Sequence, residues 1–172
     1  LETTMNTREL GGYRTASGGL TRCGRILRSD EPLCPSAQDI AWLLERRITT
    51  IIDLRCGQDL DEKPSPFKEM PAFSYRSIPI QEGSGIPEST AAVPGSYLAI
   101  AQAANSRQVY RCIAHAPEGV LFHCAAGKDR TGVVSAVLLL LAGVCEKDVI
   151  ENYMLTKEYN QTLLAISELQ NR

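Results

Sequence analysis

Residues 120–132 read VLFHCAAGKDRTG and connect two apolar segments of different character. Residues 120–122 are short, apolar and rich in β-formers, which predicts a buried strand that ends at His123. Residues 133–141 are almost wholly apolar and are followed by Gly143, which predicts a buried helix with a glycine stop. The intervening loop therefore follows the carboxyl end of a strand and begins a helix. Ligands bind at such positions in open α/β sheets, because several backbone N–H groups point into one concavity.

The side chains of this loop predict an anion site with a nucleophile at its floor. Lys128 and Arg130 supply positive charge, and a guanidinium can hold two phosphoryl oxygens at once. Five residues separate Cys124 from Arg130, and the loop amides and the guanidinium both favour the thiolate, which is the reactive form. We therefore expect Cys124 to attack phosphorus and form a phosphocysteine, with Thr131 donating its hydroxyl to the sulfur as it leaves. The other candidate substrate contacts are Ala125, Ala126, Gly127 and, beyond a second predicted strand, Arg55.

Two simpler interpretations of the loop explain less of it. A cysteine after an apolar strand is commonly a small core residue. That interpretation does not account for Arg130 at the helix start, beside Lys128 and Asp129. The pair Gly127-Lys128 is also typical of a nucleotide-binding loop, but that motif requires Ser or Thr where Asp129 stands.

Hydrolysis of a phosphate ester also needs an acid that protonates the leaving oxygen. Asp129, inside the loop, is the first candidate, and Asp53, at the end of another predicted strand, is the second. Glu82 and Glu88 are weaker candidates in a segment rich in Gly and Pro. No aspartate occurs at positions 63–127, so a separate loop in that range does not supply one.

The loop HCAAGKDRTG resembles the active-site loop of bacterial tyrosine phosphatases of the protein-tyrosine-phosphatase-B type, which are related to dual-specificity and phosphoinositide phosphatases. Three further blocks resemble the same family, namely residues 6–15 (NTRELGGYRT), 25–30 (RILRSD) and 51–55 (IIDLR). Glu9 and Cys56 depart from the family pattern, which usually has Asp and Ser at these positions.

The resemblance implies roles for the loop residues. In the family the loop cysteine is the nucleophile, the loop arginine binds phosphate and the loop aspartate is the acid, which correspond here to Cys124, Arg130 and Asp129. The family's loop lysine, here Lys128, is associated with a broad specificity that includes phosphoinositides. The implied activity is hydrolysis of phosphotyrosine, with phosphoserine, phosphothreonine and phosphoinositides as further substrates. The implied partners are a phosphorylated protein or a phosphoinositide, and no cofactor is implied.

Two rival functions remain open at this point. One is a phosphate- or phosphoinositide-binding module without turnover. The other is a rhodanese-like sulfurtransferase, since those enzymes also place a cysteine in an anion-binding loop at a strand end.

The 172 residues predict a single α/β domain over positions 1–172, with a central, mostly parallel sheet flanked by helices, like that of cysteine phosphatases. The predicted strands are 21–28, 49–54, 73–80 and 120–123. The predicted helices are 36–47, which Ser36 caps together with Asp39, then 97–114, 133–141 and one or two over 147–170. Residues 57–71 and 81–95 are predicted to be loops.

Composition and charge narrow the class of protein. A net charge of −2 argues against a nucleic-acid partner. The longest apolar run, 133–144, is too short to span a bilayer. The six cysteines and two histidines lack the spacing of a zinc site, so no metal is expected. The predicted location is the cytoplasm, or outside the cell if an export signal before Leu1 has been removed or is unrecognised.

Overall fold

The computed structural model describes residues 1–82, 85 and 87–170, with side chains up to residue 159. Its strands are β1 (Arg8–Glu9), β2 (Ile26–Ser29), β3 (Ile48–Asp53), β4 (Ser74–Ser77) and β5 (Gly119–His123). Its helices are α1 (Ala37–Glu45), α2 (Gly57–Glu62), α3 (Val93–Gln102), α4 (Ala104–His115), α5 (Asp129–Leu141) and α6 (Glu146–Gln170). Two short 3₁₀ helices cover Pro66–Glu69 and Thr90–Ala92.

The strands form one sheet in the order β1-β2-β5-β3-β4. Strand β1 is antiparallel to β2, and the other four strands run parallel to one another. The last residues of these four strands are in register, since Ser29 and Asp53 both lie opposite His123 and Ser77 lies opposite Asp53. The segments that follow them therefore leave the sheet at a common edge. The predicted mostly parallel α/β sheet is confirmed.

Strand β5 is buried along its whole length at the centre of the sheet. Val120 and Phe122 pack into the core shared with α3, α4 and α5, whereas Leu121 packs with Leu43 and Phe67 on the opposite face. This alternation follows from the two-residue period of a strand. Helices on both faces therefore bury the strand that carries the loop.

Helix α1 begins where the sequence predicts. The Ser36 hydroxyl accepts a hydrogen bond from the Asp39 backbone N–H, and the Asp39 carboxylate accepts one from the Ser36 backbone N–H. This reciprocal capping box satisfies two backbone donors that the first turn of a helix leaves without partners.

The predicted loop 57–71 is wrong in part, because it contains α2 and a 3₁₀ helix. Gln58, Leu60 and Glu62 are strong helix formers, and the carboxylate of Asp59 lies in the first turn, where the helix dipole favours it. This helix begins directly after Cys56, at the edge of the sheet where the loop lies.

The single helix predicted over 97–114 is two helices. Chain direction changes at Ala103, whose ψ is 139°. The Ile100 carbonyl accepts a hydrogen bond of 2.6 Å from the Ser106 hydroxyl and a longer one of 3.3 Å from the Ala103 backbone N–H. Helix α3 also begins earlier than predicted, with Pro94 in its first turn, where a missing N–H has no cost.

The strand predictions differ at their ends. Strand β2 starts at Ile26 rather than near residue 21, because Gly24 has a φ of +65° and forms a turn. Strand β4 is shorter than the predicted 73–80, and the two-residue β1 was not predicted. Residues 146–170 form one helix. Among the helices that the structure describes, none combines the length and apolarity needed to cross a bilayer.

Candidate active site

The loop at residues 124–128 joins β5 to α5 and lies between β2 and β3 at the carboxyl edge of the sheet. The carbonyl groups of three of its residues accept hydrogen bonds from surrounding segments of the chain. The Ala125 carbonyl accepts from the Glu31 backbone N–H at 2.9 Å. The carbonyls of Ala126 and Gly127 accept from Asn6 Nδ2 at 3.2 and 3.0 Å. Arg28 Nη2 also donates to the Gly127 carbonyl, at 2.8 Å.

These carbonyl contacts fix the direction of the loop amides. In a planar trans peptide the N–H points opposite to the C=O of the same unit. The N–H of Ala126 therefore points away from Glu31, and the N–H groups of Gly127 and Lys128 point away from Asn6 and Arg28. Consecutive N–H groups that converge in this way form an anion-binding concavity, and the N-terminus of α5 adds the positive end of its dipole.

Gly127 occupies a position that other residues do not fit. Its φ is +64°, in the left-handed region that favours glycine. A Cβ built on it would lie 2.6 Å from the backbone nitrogen of Asp30 and 2.7 Å from the carbonyl carbon of Ser29. The close approach of β2 to the loop therefore requires glycine here.

A cavity of about 290 Å³ opens over the loop. Cys124 is part of its lining and is only 3% exposed. The loop and the start of α5 also contribute Ala125, Ala126, Lys128, Asp129 and Arg130. Helix α3 contributes Val93 and Tyr97, and the segment before it contributes Pro87. The structure thus brings six of the predicted site residues into one lining, with Gly127 behind it.

Arg130 is nearly buried, and several groups fix its guanidinium. Nη1 donates to the Leu54 carbonyl at 3.3 Å and contacts Cys56 Sγ at 3.4 Å. Nη2 lies 3.5 Å from an Asp59 carboxylate oxygen. Asp59 was not among the predicted site residues, because residues 57–71 were predicted to be a loop. The sequence does contain a signal for Asp59, since this carboxylate stands four residues beyond Arg55, in the first turn of the helix that follows β3.

Asp129 has polar partners on both oxygens. Tyr97 donates its hydroxyl to Oδ1 at 2.6 Å, and Lys128 Nζ lies 3.5 Å from Oδ2. The hydroxyls of Tyr97 and Tyr153 are hydrogen-bonded to each other at 2.5 Å. Burial and the hydrogen bond to Asp129 raise the pKa of Tyr97, so that it stays a donor. Neither tyrosine was identified from the sequence.

Asp53 lies outside the cavity lining and is fully buried. Its carboxylate accepts hydrogen bonds from the backbone N–H, Nε and Nη2 of Arg55 and one from the Tyr75 hydroxyl at 3.0 Å. His123 Nε2 lies 3.6 Å from the same carboxylate. Burial opposes its ionisation, but the hydrogen bonds from Arg55 and the positive charge of Arg55 outweigh burial and lower the pKa of Asp53. Asp53 is thus held as a carboxylate inside the protein.

The structure does not bring Arg55 to the cavity. Its guanidinium is fully buried and donates to Asp53, to Glu31 at 3.0 Å and to the Lys63 carbonyl at 2.9 Å. The guanidinium is therefore hydrogen-bonded on both sides, and it links β3 to the segments that contain Glu31 and Lys63. This placement differs from the substrate contact expected of Arg55, because a strand-end arginine can turn inward as readily as outward.

Thr131 lies in the first turn of α5 and is fully buried. Its hydroxyl has no hydrogen-bond partner among the described residues. The predicted donation to the departing sulfur thus stays a prediction.

The family model for the tyrosine phosphatase family matches residues 1–172. The chain belongs to the tyrosine phosphatase family. The resemblance based on the loop and its three accompanying blocks is thereby confirmed. The family membership also agrees with the architecture, in which a cysteine loop leaves the central strand of a parallel sheet.

The chain is similar to two bacterial proteins that are themselves named as tyrosine-protein phosphatases. A Cupriavidus necator protein, named provisionally as a tyrosine-protein phosphatase, is 30% identical over an alignment of 182 positions, and the alignment covers 95% of this chain and 66% of the relative. A tyrosine-protein phosphatase of Nostoc commune is 32% identical over 118 residues, which cover 63% of this chain and 40% of the relative. The chain therefore spans less than two thirds of the length of either relative.

Among solved structures, the chain is similar to the core catalytic domain of the PP-IP phosphatase SIW14 from S. cerevisiae, crystallised with citrate. The TM-score is 0.53 at 15% identity, over 88% of this chain and 75% of that one. This likeness shows that the two share a fold.

Proposed function

We propose that this chain is a cysteine-dependent phosphatase that hydrolyses phosphotyrosine monoesters through a phosphocysteine intermediate. The observation that carries the proposal is the direction of the loop peptides. Their carbonyls are held by Glu31, Asn6 and Arg28, so three successive N–H groups point into the cavity that contains Cys124. Such a cradle fits a phosphate dianion, and membership of the tyrosine phosphatase family supports the reaction class.

The first chemical step is attack of the Cys124 thiolate on phosphorus. A P–S bond forms while the P–O bond to the leaving oxygen breaks. The loop N–H groups and Arg130 stabilise the charge on the phosphoryl oxygens, and they need little rearrangement because their partners already fix them. In the second step water attacks the phosphocysteine, the P–S bond breaks, and inorganic phosphate leaves.

Asp129 is the proposed acid. It lines the cavity beside Cys124, and the hydrogen bond from Tyr97 fixes its orientation. Asp129 gives a proton to the leaving oxygen in the first step and takes one from water in the second. Asp53 fits this role less well, because it is sealed inside the protein and its pKa is lowered.

The cavity walls favour an aromatic ester. Tyr97, Val93 and Pro87 supply apolar and aromatic surface opposite the anion cradle. A phenyl ring gains more from such a wall than the short side chain of phosphoserine does. Lys128 is half-exposed beside the cavity, so phosphoinositides, with a second anionic group, are proposed as further substrates. Phosphoserine and phosphothreonine peptides should be the poorest.

The intermediate provides a direct test of the proposal. Wild-type protein is mixed with a phosphotyrosine peptide, quenched in acid within milliseconds to seconds, and digested for mass spectrometry. We expect a phosphate adduct on Cys124 that is absent in Cys124→Ser. Rapid turnover without an adduct on Cys124, or an adduct on another residue, would contradict the mechanism.

A further inference from the structure

Arg28 is a buried arginine directly behind the active-site loop. Its side chain is fully buried. Nη2 donates to the Gly127 carbonyl at 2.8 Å, and Nη1 donates to Asn152 Oδ1 on α6 at 3.0 Å. Nε has no hydrogen-bond partner among the described residues. One end of the guanidinium thus holds the loop, and the other is held by a neutral amide.

The charge of Arg28 lacks a carboxylate partner in the part of the chain whose side chains are described. The nearby charged group is a second cation, Arg8, whose Nη2 donates to the Asn152 carbonyl at 2.9 Å. Burial and Arg8 lower the pKa of Arg28 to about 9, while negative charge on Cys124 raises it. Tyr13 and Tyr153 are the remaining titratable groups that act on it.

A buried cation without a counter-ion is rare in proteins, because an uncompensated charge in the interior is costly. Arg55, which is also fully buried, has the two carboxylates that Arg28 lacks among the described side chains. The contrast leaves the charge of Arg28 without the compensation that Arg55 receives.

We propose that Arg28 is a positioning residue whose buried charge is left without a carboxylate so that the Cys124 thiolate and the bound phosphate dianion serve as its counter-ions through the loop. This inference rests on the proposed function for the identity of the anion. Arg28 acts in two ways, since its hydrogen bond turns the Gly127 carbonyl away from the cavity and its charge makes the cavity more positive.

The decisive variant is Asn152→Asp, which supplies the missing carboxylate without removing Arg28. The new carboxylate would stand about where Asn152 Oδ1 accepts from Arg28. Tyr13, which now accepts from Asn152 Nδ2 at 2.8 Å, can donate to it instead. We expect this variant to fold with an equal or higher melting temperature. Its affinity for inorganic phosphate should nevertheless fall about tenfold, because Arg28 is already neutralised.

Both readouts are independent of turnover. The first readout is the rate at which iodoacetamide alkylates Cys124, taken as the alkylation that is absent from the Cys124→Ser protein. The second is the concentration of inorganic phosphate that halves this rate. Arg28→Gln should slow alkylation and raise the half-protecting concentration about tenfold, and Arg28→Lys should recover most of both. Arg25→Gln is the control, because Arg25 donates to the Ala116 carbonyl on the edge of the fold away from the loop. It should match the wild type.

Two results would overturn the inference. One is unchanged phosphate protection and alkylation in a folded Asn152→Asp protein. The other is an equal loss in Arg28→Lys and Arg28→Gln, which would assign Arg28 a purely geometric role. If the protein bound phosphate in this charge-dependent way but released none from any ester, the inference would hold and the proposed function would fail.

Discussion

Asp129 and Asp53 differ in what surrounds each carboxylate, and this difference decides their proposed roles. Asp129 lies in the cavity with Tyr97 at 2.6 Å. We expect Asp129→Asn to lower kcat/KM about 100-fold for esters with poor leaving groups and much less for aryl esters with good ones, since only the former need the proton. The measurement is phosphate release across a series of aryl phosphates. The controls are Glu82→Gln and Glu88→Gln, and a leaving-group effect in either of them instead of Asp129→Asn would move the acid to that residue.

Asp53 should govern stability rather than turnover. Replacing it by Asn leaves the buried guanidinium of Arg55 without its main partner. We expect Asp53→Asn to lower the free energy of unfolding by about 3 kcal/mol, as measured by urea denaturation. Asp61→Asn, at an exposed position of α2, is the matched control and should change little. A stable Asp53→Asn protein with the leaving-group effect expected of an acid would reverse the two assignments.

At the scale of elements, the loop between β5 and α5 depends on how closely β2 approaches it. Gly127→Ala would place a Cβ 2.6 Å from the Asp30 backbone nitrogen. We expect this variant to lose at least about 100-fold in kcat/KM, because the N–H groups that hold the phosphoryl oxygens would be displaced.

Gly18→Ala is the control for Gly127→Ala, because it introduces the same backbone strain without a steric clash. Gly18 also has a positive φ, of +85°, but nothing lies within 4 Å of its Cβ position. It should cost about 1 kcal/mol of stability and leave kcat/KM unchanged. If Gly127→Ala behaved like Gly18→Ala in both assays, the loop would not need the close contact with β2.

Local sequence signals predicted the elements that have strong local causes. The capping box of Ser36 and Asp39 and the strand–loop–helix pattern around Cys124 each lie within about ten residues. Their chemistry is readable because it depends on neighbours in sequence. The same holds for the loop members of the cavity lining, whose spacing already implied one concavity.

The supports of the loop could not be predicted, because folding brings them from far away in the chain. Asn6 and Arg28 reach Gly127 across 121 and 99 positions. Tyr97 reaches Asp129 across 32 positions, and Asp59 reaches Arg130 across 71. The break at Ala103 between α3 and α4 could not be predicted for a related reason. Helix propensity there favours a continuous helix, and the hydrogen bond from Ser106 to Ile100 at the break is not visible in the sequence.

At the scale of the whole molecule, stability should depend on pH through the buried His123. Burial lowers the pKa of His123, so the folded protein keeps it neutral. Below about pH 6.5 the unfolded chain binds a proton there that the folded chain does not, and protonation therefore favours unfolding. We expect the free energy of unfolding to fall by up to about 1.4 kcal/mol per pH unit between pH 6.5 and pH 5.

The matched variants for this prediction are His123→Asn and His115→Asn, because His115 is exposed at the end of α4. Urea denaturation at pH 8, 6.5 and 5 should show a flatter pH dependence only in His123→Asn. The lowered pKa values of Asp39 and Asp53 act at more acidic pH, where carboxylates of the unfolded chain become protonated. An equal slope in all three proteins would show that His123 is not the group that titrates.

The most direct test of the central claim is phosphate release from a phosphotyrosine peptide, a phosphoserine peptide and a phosphoinositide, with EDTA present, for the wild type and Cys124→Ser. We expect release by the wild type, fastest from the phosphotyrosine peptide, and none by Cys124→Ser, which should still bind the peptide in its loop. Equal release by both proteins would contradict the cysteine mechanism. No release from any of the three would leave a phosphate-binding module as the better description of this chain.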